Sequence, residues 1–136
     1  MAKKIIICDT DVMIDYLNIN SQRHPSTKNI LKNLIGLDNI LLSAITKMEL
    51  IVGATNKTDL NNINKNIHKF SIALIGDGVT QTAIQLLQEY KLSHGLALPD
   101  ALIAATALIL ELELYTYNIK DYKFINSLVL FEPANQ

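Results

Sequence analysis

The chain has 136 residues, with thirteen Asp and Glu against twelve Lys and Arg and a formal net charge of −1. Hydrophobic residues make up 49%, which excludes a disordered chain. The near-neutral balance excludes a protein held to nucleic acid by a global positive field. Arg23 is the only arginine and Cys8 the only cysteine. An internal disulfide is therefore impossible, which fits a reducing cytoplasm.

The opening "MAKKIIICDT" has too short an apolar run for a signal peptide, and charge follows at once. "KIIIC" (Lys4 to Cys8) is a continuous β-branched run, the pattern of a strand buried on both faces of a parallel sheet. Cys8 reads there as a small apolar core residue. The strand ends at Asp9, followed by Thr10, Asp11 and, on a short helix, Asp15. A carboxylate at the end of an apolar strand is costly to desolvate unless something binds it. "HPSTKNILKNLIGL" predicts a helix starting near Pro25 and Ser26, with a stripe of Ile30, Leu31, Leu34 and Ile35 and Gly36 as C-cap. "NILLSAI" (Asn39 to Ile45) predicts the second strand. Thr46 and Glu49 then stand at capping-box spacing.

Leu60, Ile63, Ile67 and Phe70 recur at helical spacing. "SIALIG" (Ser71 to Gly76) predicts a third strand. Asp77 caps a long amphipathic helix that closes on Gly95. Pro99 suits the first turn of the next helix, and "PDALIAATALILE" is apolar nearly all round, as a buried central helix should be. Its most apolar stretch is about half the ~20 residues a membrane span needs. "LELYTY" and "SLVLF" (Ser127 to Phe131) predict the last strands. Strands and helices alternate throughout. This is the pattern of a single α/β domain over residues 1–136, with a mostly parallel sheet of about five strands.

In such sheets, sites form beyond the C-terminal strand ends. Asp9, Glu49, Asp100 and Asp121 all fall near such positions or at a helix start. Each also has a plainer reading. Glu49 can be the capping partner of Thr46, Asp100 a first-turn helix acid, and Asp121 a surface charge. Converging carboxylates suit a hard cation such as Mg²⁺, which takes one or two carboxylates and keeps its waters. His24, His68 and His94 show no zinc-ligand spacing. Carboxylates around a divalent cation point to phosphoryl-transfer hydrolysis.

Four stretches, "DTDVMIDYL", "SAITKMELIVGA", "LPDALIAATAL" and "YTYNIKDY", together resemble the motifs of PIN-domain ribonucleases. They resemble most the VapC-type toxins of toxin–antitoxin pairs, in order and over nearly the whole chain. The resemblance implies a three-layer α/β/α fold and Mg²⁺- or Mn²⁺-dependent cleavage of RNA. It puts the family's acidic positions on Asp9, Glu49 and Asp100, with Asp9 and Asp100 as the metal ligands. The looser fourth position falls on Asn118 and Asp121. Thr10 and Thr116 match hydroxyl positions that orient the acids or the attacking water. Asp11 stands where the motif often has Asn or Ser, and Asn118 where many members have an acid. The resemblance also implies a homodimer and a VapB-type antitoxin whose C-terminal segment covers the acids, while the short apolar runs suggest a cytoplasmic protein. Lys47, Lys120 and Lys123 are candidate phosphate contacts.

Three other readings use the same residues. "DTDVM" and "GDGV" (Gly76 to Val79) touch the pattern of haloacid-dehalogenase-like phosphatases, but Met13 stands where Thr or Val is wanted. A phosphoacceptor receiver domain gathers acids around Mg²⁺ but needs a Lys after its fifth strand, which "LVLFEP" lacks. A binding module on the same fold, with a degraded site, needs no chemistry at all.

Overall fold

A computed structural model describes residues 4–135; the start of the basic stretch before Lys4 lies outside them. Four short strands form one parallel sheet: β1 (Ile6–Cys8), β2 (Ile40–Ser43), β3 (Ser71–Ala73) and β4 (Glu113–Tyr115), in the order β3-β2-β1-β4. The helices are α1 (Thr10–Leu17), α2 (His24–Asn29), α3 (Ala44–Val52), α4 (Lys57–Ile67), α5 (Asp77–His94) and α6 (Leu98–Leu110). α2 runs on as a π-helical segment, Ile30–Ile35.

Side chains alternate across a strand, and β1 divides the core accordingly. Ile6 and Cys8 pack with Val12, Met13, Leu31 and Phe70 on the face covered by α1, α2 and α4. Ile7 packs with Ala101, Ala104 and Leu114 on the face covered by α5 and α6. The result is the three-layer α/β/α arrangement expected. α6 is the buried helix that its composition predicts: Ala101 and every residue from Ile103 to Ala107 are buried. Its small residues let the helix lie close to the sheet. No helix among the described residues is long and apolar enough to cross a membrane.

The sheet has four strands rather than about five. The segment Ser127 to Phe131 reaches β4 only at one parallel bridge, Leu114 with Leu130. Tight turns hold the chain from Tyr122 to Leu128, so only Val129 and Phe131 bond to Leu114. Pro133, two residues on, has no N–H with which to extend a ladder. Two helix starts also differ from expectation. Ser43, not Thr46, caps α3, its side chain accepting from the Ile45 amide. Gly76, not Asp77, caps α5.

Gly36 ends the π-helical segment at φ 94° and ψ 127°, where its N–H bonds to the Leu31 carbonyl. An L side chain is strained there. Gly36→Ala should lose about 1–3 kcal/mol of stability, read as a lower urea midpoint at unchanged m-value.

Candidate active site

The strands' C-terminal ends bring the predicted acids together. Asp9 follows β1 and caps α1: its Oδ1 accepts from the Thr10 amide at 2.7 Å. Its Oδ2 accepts from the Thr116 hydroxyl at 2.8 Å. Thr116 stands beside it because Cys8 pairs with Tyr115 in the β1–β4 register, so the residues after each strand are neighbours. The Asn118 amide in turn donates to Thr116 Oγ1 at 3.0 Å, while the Asn118 side chain is exposed.

Asp100 lies in the first turn of α6, a favourable place for a carboxylate. The Tyr122 hydroxyl donates to its Oδ1 at 3.1 Å and also faces Asp9. Glu49, exposed on α3, is tied in from the other side. The Thr10 hydroxyl donates to Glu49 Oε1 at 2.7 Å and lies 3.0 Å from the Thr46 hydroxyl. A hydroxyl has one proton to give, so Thr46 donates to Thr10 in this chain of bonds. Glu49 is thus held by Thr10 and is not the capping partner of Thr46. Asp121, in a single 3₁₀ turn (Ile119–Asp121), acts on Asp100 through its charge.

Asp11 is turned toward the loop after β4, where its Oδ2 accepts from the Tyr117 amide at 3.1 Å. Its Oδ1 is buried with no hydrogen-bond partner. Asp15 has a structural role: Ser21 donates to it at 2.6 Å, and Arg23 stands 3.7 Å away. Cys8 is buried, and its thiol is pushed far above its ordinary range by burial, then by the charges of Asp9 and Asp11. It is an inert core residue, as its position predicts.

Sequence reasoning missed two members of the network, Thr46 and Tyr122. Thr46 lies within the second motif, where its spacing to Glu49 suggests only a cap. Tyr122 follows Asp121 directly, and its aromatic ring suggests only core. Burial and the charges of Asp9 and Asp100 push its hydroxyl far up, so it stays a donor.

Burial is the largest cause that raises both carboxyls from 3.8 to about 6. For Asp9 the next cause is the charge of Asp11. For Asp100, the charges of Asp9, Asp121 and Glu49 add to burial, against the lowering effect of the Tyr122 bond. Oxygen-only donors with mutual repulsion fit a hard divalent cation. Among the described residues no group of three Asp, Glu, His or Cys is close enough to enclose an ion. Asp9 and Asp100, both addressed by the Tyr122 hydroxyl, offer two carboxylates, a number Mg²⁺ takes while keeping its waters. Beside Glu49, a groove of about 390 Å³ runs between α1, α3 and α4, floored by Ile14, Leu17, Leu50 and Ile63.

Residues 6–124 match the PIN domain family, and the chain belongs to it. Among curated proteins it is similar to Ribonuclease VapC19 of Mycobacterium tuberculosis, at 25% identity over 118 residues, covering 85% of this chain and 90% of that protein. Among solved structures it is similar to a toxin–antitoxin complex from Klebsiella pneumoniae, with TM-score 0.73 and 29% identity, covering 94% of this chain and 97% of that one. The fold is also that of a DNA-bound VapBC from Salmonella typhimurium, with TM-score 0.75 and 20% identity over 98% of this chain and 99% of that one.

A carboxyl raised on folding binds protons more tightly when folded than when unfolded. Its stabilising contribution is complete below pH 3.8 and is lost as pH rises through about 6. Removing the charge should therefore stabilise the metal-free protein at neutral pH. In chelator at pH 7.5, Asp9→Asn should melt higher than the parent by on the order of 2 kcal/mol, with the gain shrinking toward pH 4. Thermal melts across that range check the sign.

Proposed function

We propose that this chain is a divalent-metal-dependent endoribonuclease that hydrolyses RNA phosphodiester bonds, the VapC-type toxin of a toxin–antitoxin pair. The observation that carries the reading is the pair Asp9 and Asp100. Both are buried enough to resist ionisation, and both are addressed by the Tyr122 hydroxyl at the C-terminal sheet edge. The match to the PIN family and the likeness to a protein named a ribonuclease support it.

Asp9 and Asp100 would hold a Mg²⁺ or Mn²⁺ ion. When bound, such an ion supplies Lewis-acid activation of the phosphodiester and a water of lowered pKa. The chain's own groups do the positioning. Thr10 N–H and the Thr116 hydroxyl fix the two oxygens of Asp9 and leave each with a lone pair to offer. Tyr122 fixes Asp100. Glu49, oriented by Thr10, would take a proton from the attacking water, and Asp121 adds negative charge that disfavours an anion. Attack is in line, and no covalent enzyme intermediate is required. Single-stranded or loop RNA is the favoured substrate, because its unstacked bases can be read. In the cell this cleavage inhibits translation or growth.

The phosphatase reading is weaker here. The acids that act on Asp100 are Asp9, Asp121 and Glu49, and Asp77 of "GDGV" is not among them. A VapB-type antitoxin would lay an apolar segment along the groove between α1, α3 and α4 and end over the acids.

Purified protein with Mg²⁺ should cut single-stranded RNA, and chelator should stop it. Asp9→Asn and Asp100→Asn should each abolish cutting. Cleavage that persists in both variants sinks the assignment. Tyr122→Phe, which keeps the ring and removes the donor, should lower activity about 10–100-fold. Measured Mg²⁺ affinity should weaken in parallel; unchanged activity and affinity would remove Tyr122 from the site.

A further inference from the structure

A second, oppositely charged feature lies beyond the acids. A pocket of about 230 Å³ opens between the end of α1, α2 with its π-helical extension, and the end of α4. Lys28, Lys32 and Lys69 line it, with Asn66, His24 and Tyr16. No acid is among its lining residues. Asp15, beside Tyr16 on α1, is already engaged by Ser21 and Arg23. The His24 Nδ1 donates to the Asp15 carbonyl at 3.1 Å, which fixes the ring at the wall. Lys69 Nζ stands 5.5 Å from the Tyr16 ring centre and 5.6 Å from that of Phe70. This favourable cation–π placement holds the ammonium at the pocket.

We infer that this pocket binds the phosphate backbone of a single-stranded RNA whose neighbouring segment lies at the acids; the inference rests on the nuclease reading above. Three observations point there. First, three ammonium groups carry only donors and match an anion. Lys28 and Lys32 are like charges one turn apart, an arrangement that disfavours a helix by itself and is relieved by a bound polyanion. They stand four residues apart, about one turn, on α2 and its π-helical extension.

Second, α2 connects the pocket to the acidic site. The Arg23 guanidinium, at its start, lies 4.5 Å over the Tyr117 ring. Tyr117 follows Thr116, donates its amide to Asp11, and bonds through its hydroxyl to Thr27 of α2. Arg23, partly offset by Asp15 at 3.7 Å, marks where α2 meets the loop that holds Asp9, and Lys28 and Lys32 carry positive charge onward along the helix. Third, the acids themselves repel an RNA strand, so affinity has to come from cations elsewhere. Lys47, Lys120 and Lys123, expected from sequence to do this, stand exposed on α3 and on the turn after β4. Lys28, Lys32 and Lys69 line one pocket together.

The test uses the full chain carrying Asp9→Asn, so that bound RNA is not cut. Its affinity for an unstructured RNA oligonucleotide is measured by fluorescence anisotropy across a salt series. Adding Lys28→Gln, Lys32→Gln and Lys69→Gln should weaken binding at least about tenfold at low salt. It should flatten the slope of log K against log[salt] by about 2, near 0.7 for each of three phosphate contacts. Lys57→Gln with Lys91→Gln, charges on other faces, should leave the slope unchanged. Thermal melts matching the parent show that the triple variant is folded. RNA binding with an unaltered slope overturns the pocket alone. No RNA binding by the parent overturns the nuclease reading and the pocket with it. An unaltered RNA slope with lost binding of poly-glutamate reassigns the pocket to an acidic protein segment and also overturns the inference.

Discussion

The structure is organised around one buried charge. Asp9 is only 5% exposed and ends an apolar strand. A carboxylate there is tolerable only if both oxygens are served. The Thr10 amide serves one and the Thr116 hydroxyl the other. The second bond exists because β1 and β4 pair in parallel and in one register. A slip of one residue would turn Thr116 to the opposite face and strand Asp9. The strand pairing and the state of the candidate site are therefore one constraint.

The opposite wall depends on small side chains. α6 presents Ala101, Ala104 and Ala105 toward Ile7 and Leu114, which brings its first turn to the sheet edge with Asp100 on it. Tyr122, almost fully buried under the same helix, ties Asp100 to the strand side. The acids are thus fixed by donors while burial and repulsion raise their pKa values. Such a balance disfavours an anion and is relieved by positive charge, whether proton or cation. The basic surface reached along α2 supplies the complementary half, attraction for a polyanion held away from the acids that would repel it.

Much of this was legible in local pattern. The run Lys4 to Cys8 forms its strand over Ile6–Cys8, with Ile5 left exposed, while the stripe Leu60, Ile63 and Ile67 on α4, the near-uniform apolarity of α6 and the Gly95 C-cap appear where the pattern puts them. Asp9, Glu49, Asp100 and Asp121 were readable as acids at strand ends or helix starts. The failures have specific causes. Thr46 and Glu49 fit a capping box, but Ser43 lies directly at the strand end and takes the cap first. "SLVLF" has strand composition, yet the turns before it and Pro133 after it leave one bridge. That Lys69 joins Lys28 and Lys32 at one pocket follows from packing alone.

By itself, the sequence determined most of the strands and helices, which faces are apolar, and which carboxylates stand at strand ends or helix starts. Those properties depend on periodicity and on neighbours within a turn or two. Tertiary structure decided which donor serves which acid. The deciding bonds join Thr10 to Glu49 across 39 positions, Tyr122 to Asp100 across 22, and Thr116 to Asp9 across 107. Such pairs exist only once the strand order β3-β2-β1-β4 is set. That order depends on the burial of both sheet faces at once, which no local pattern encodes.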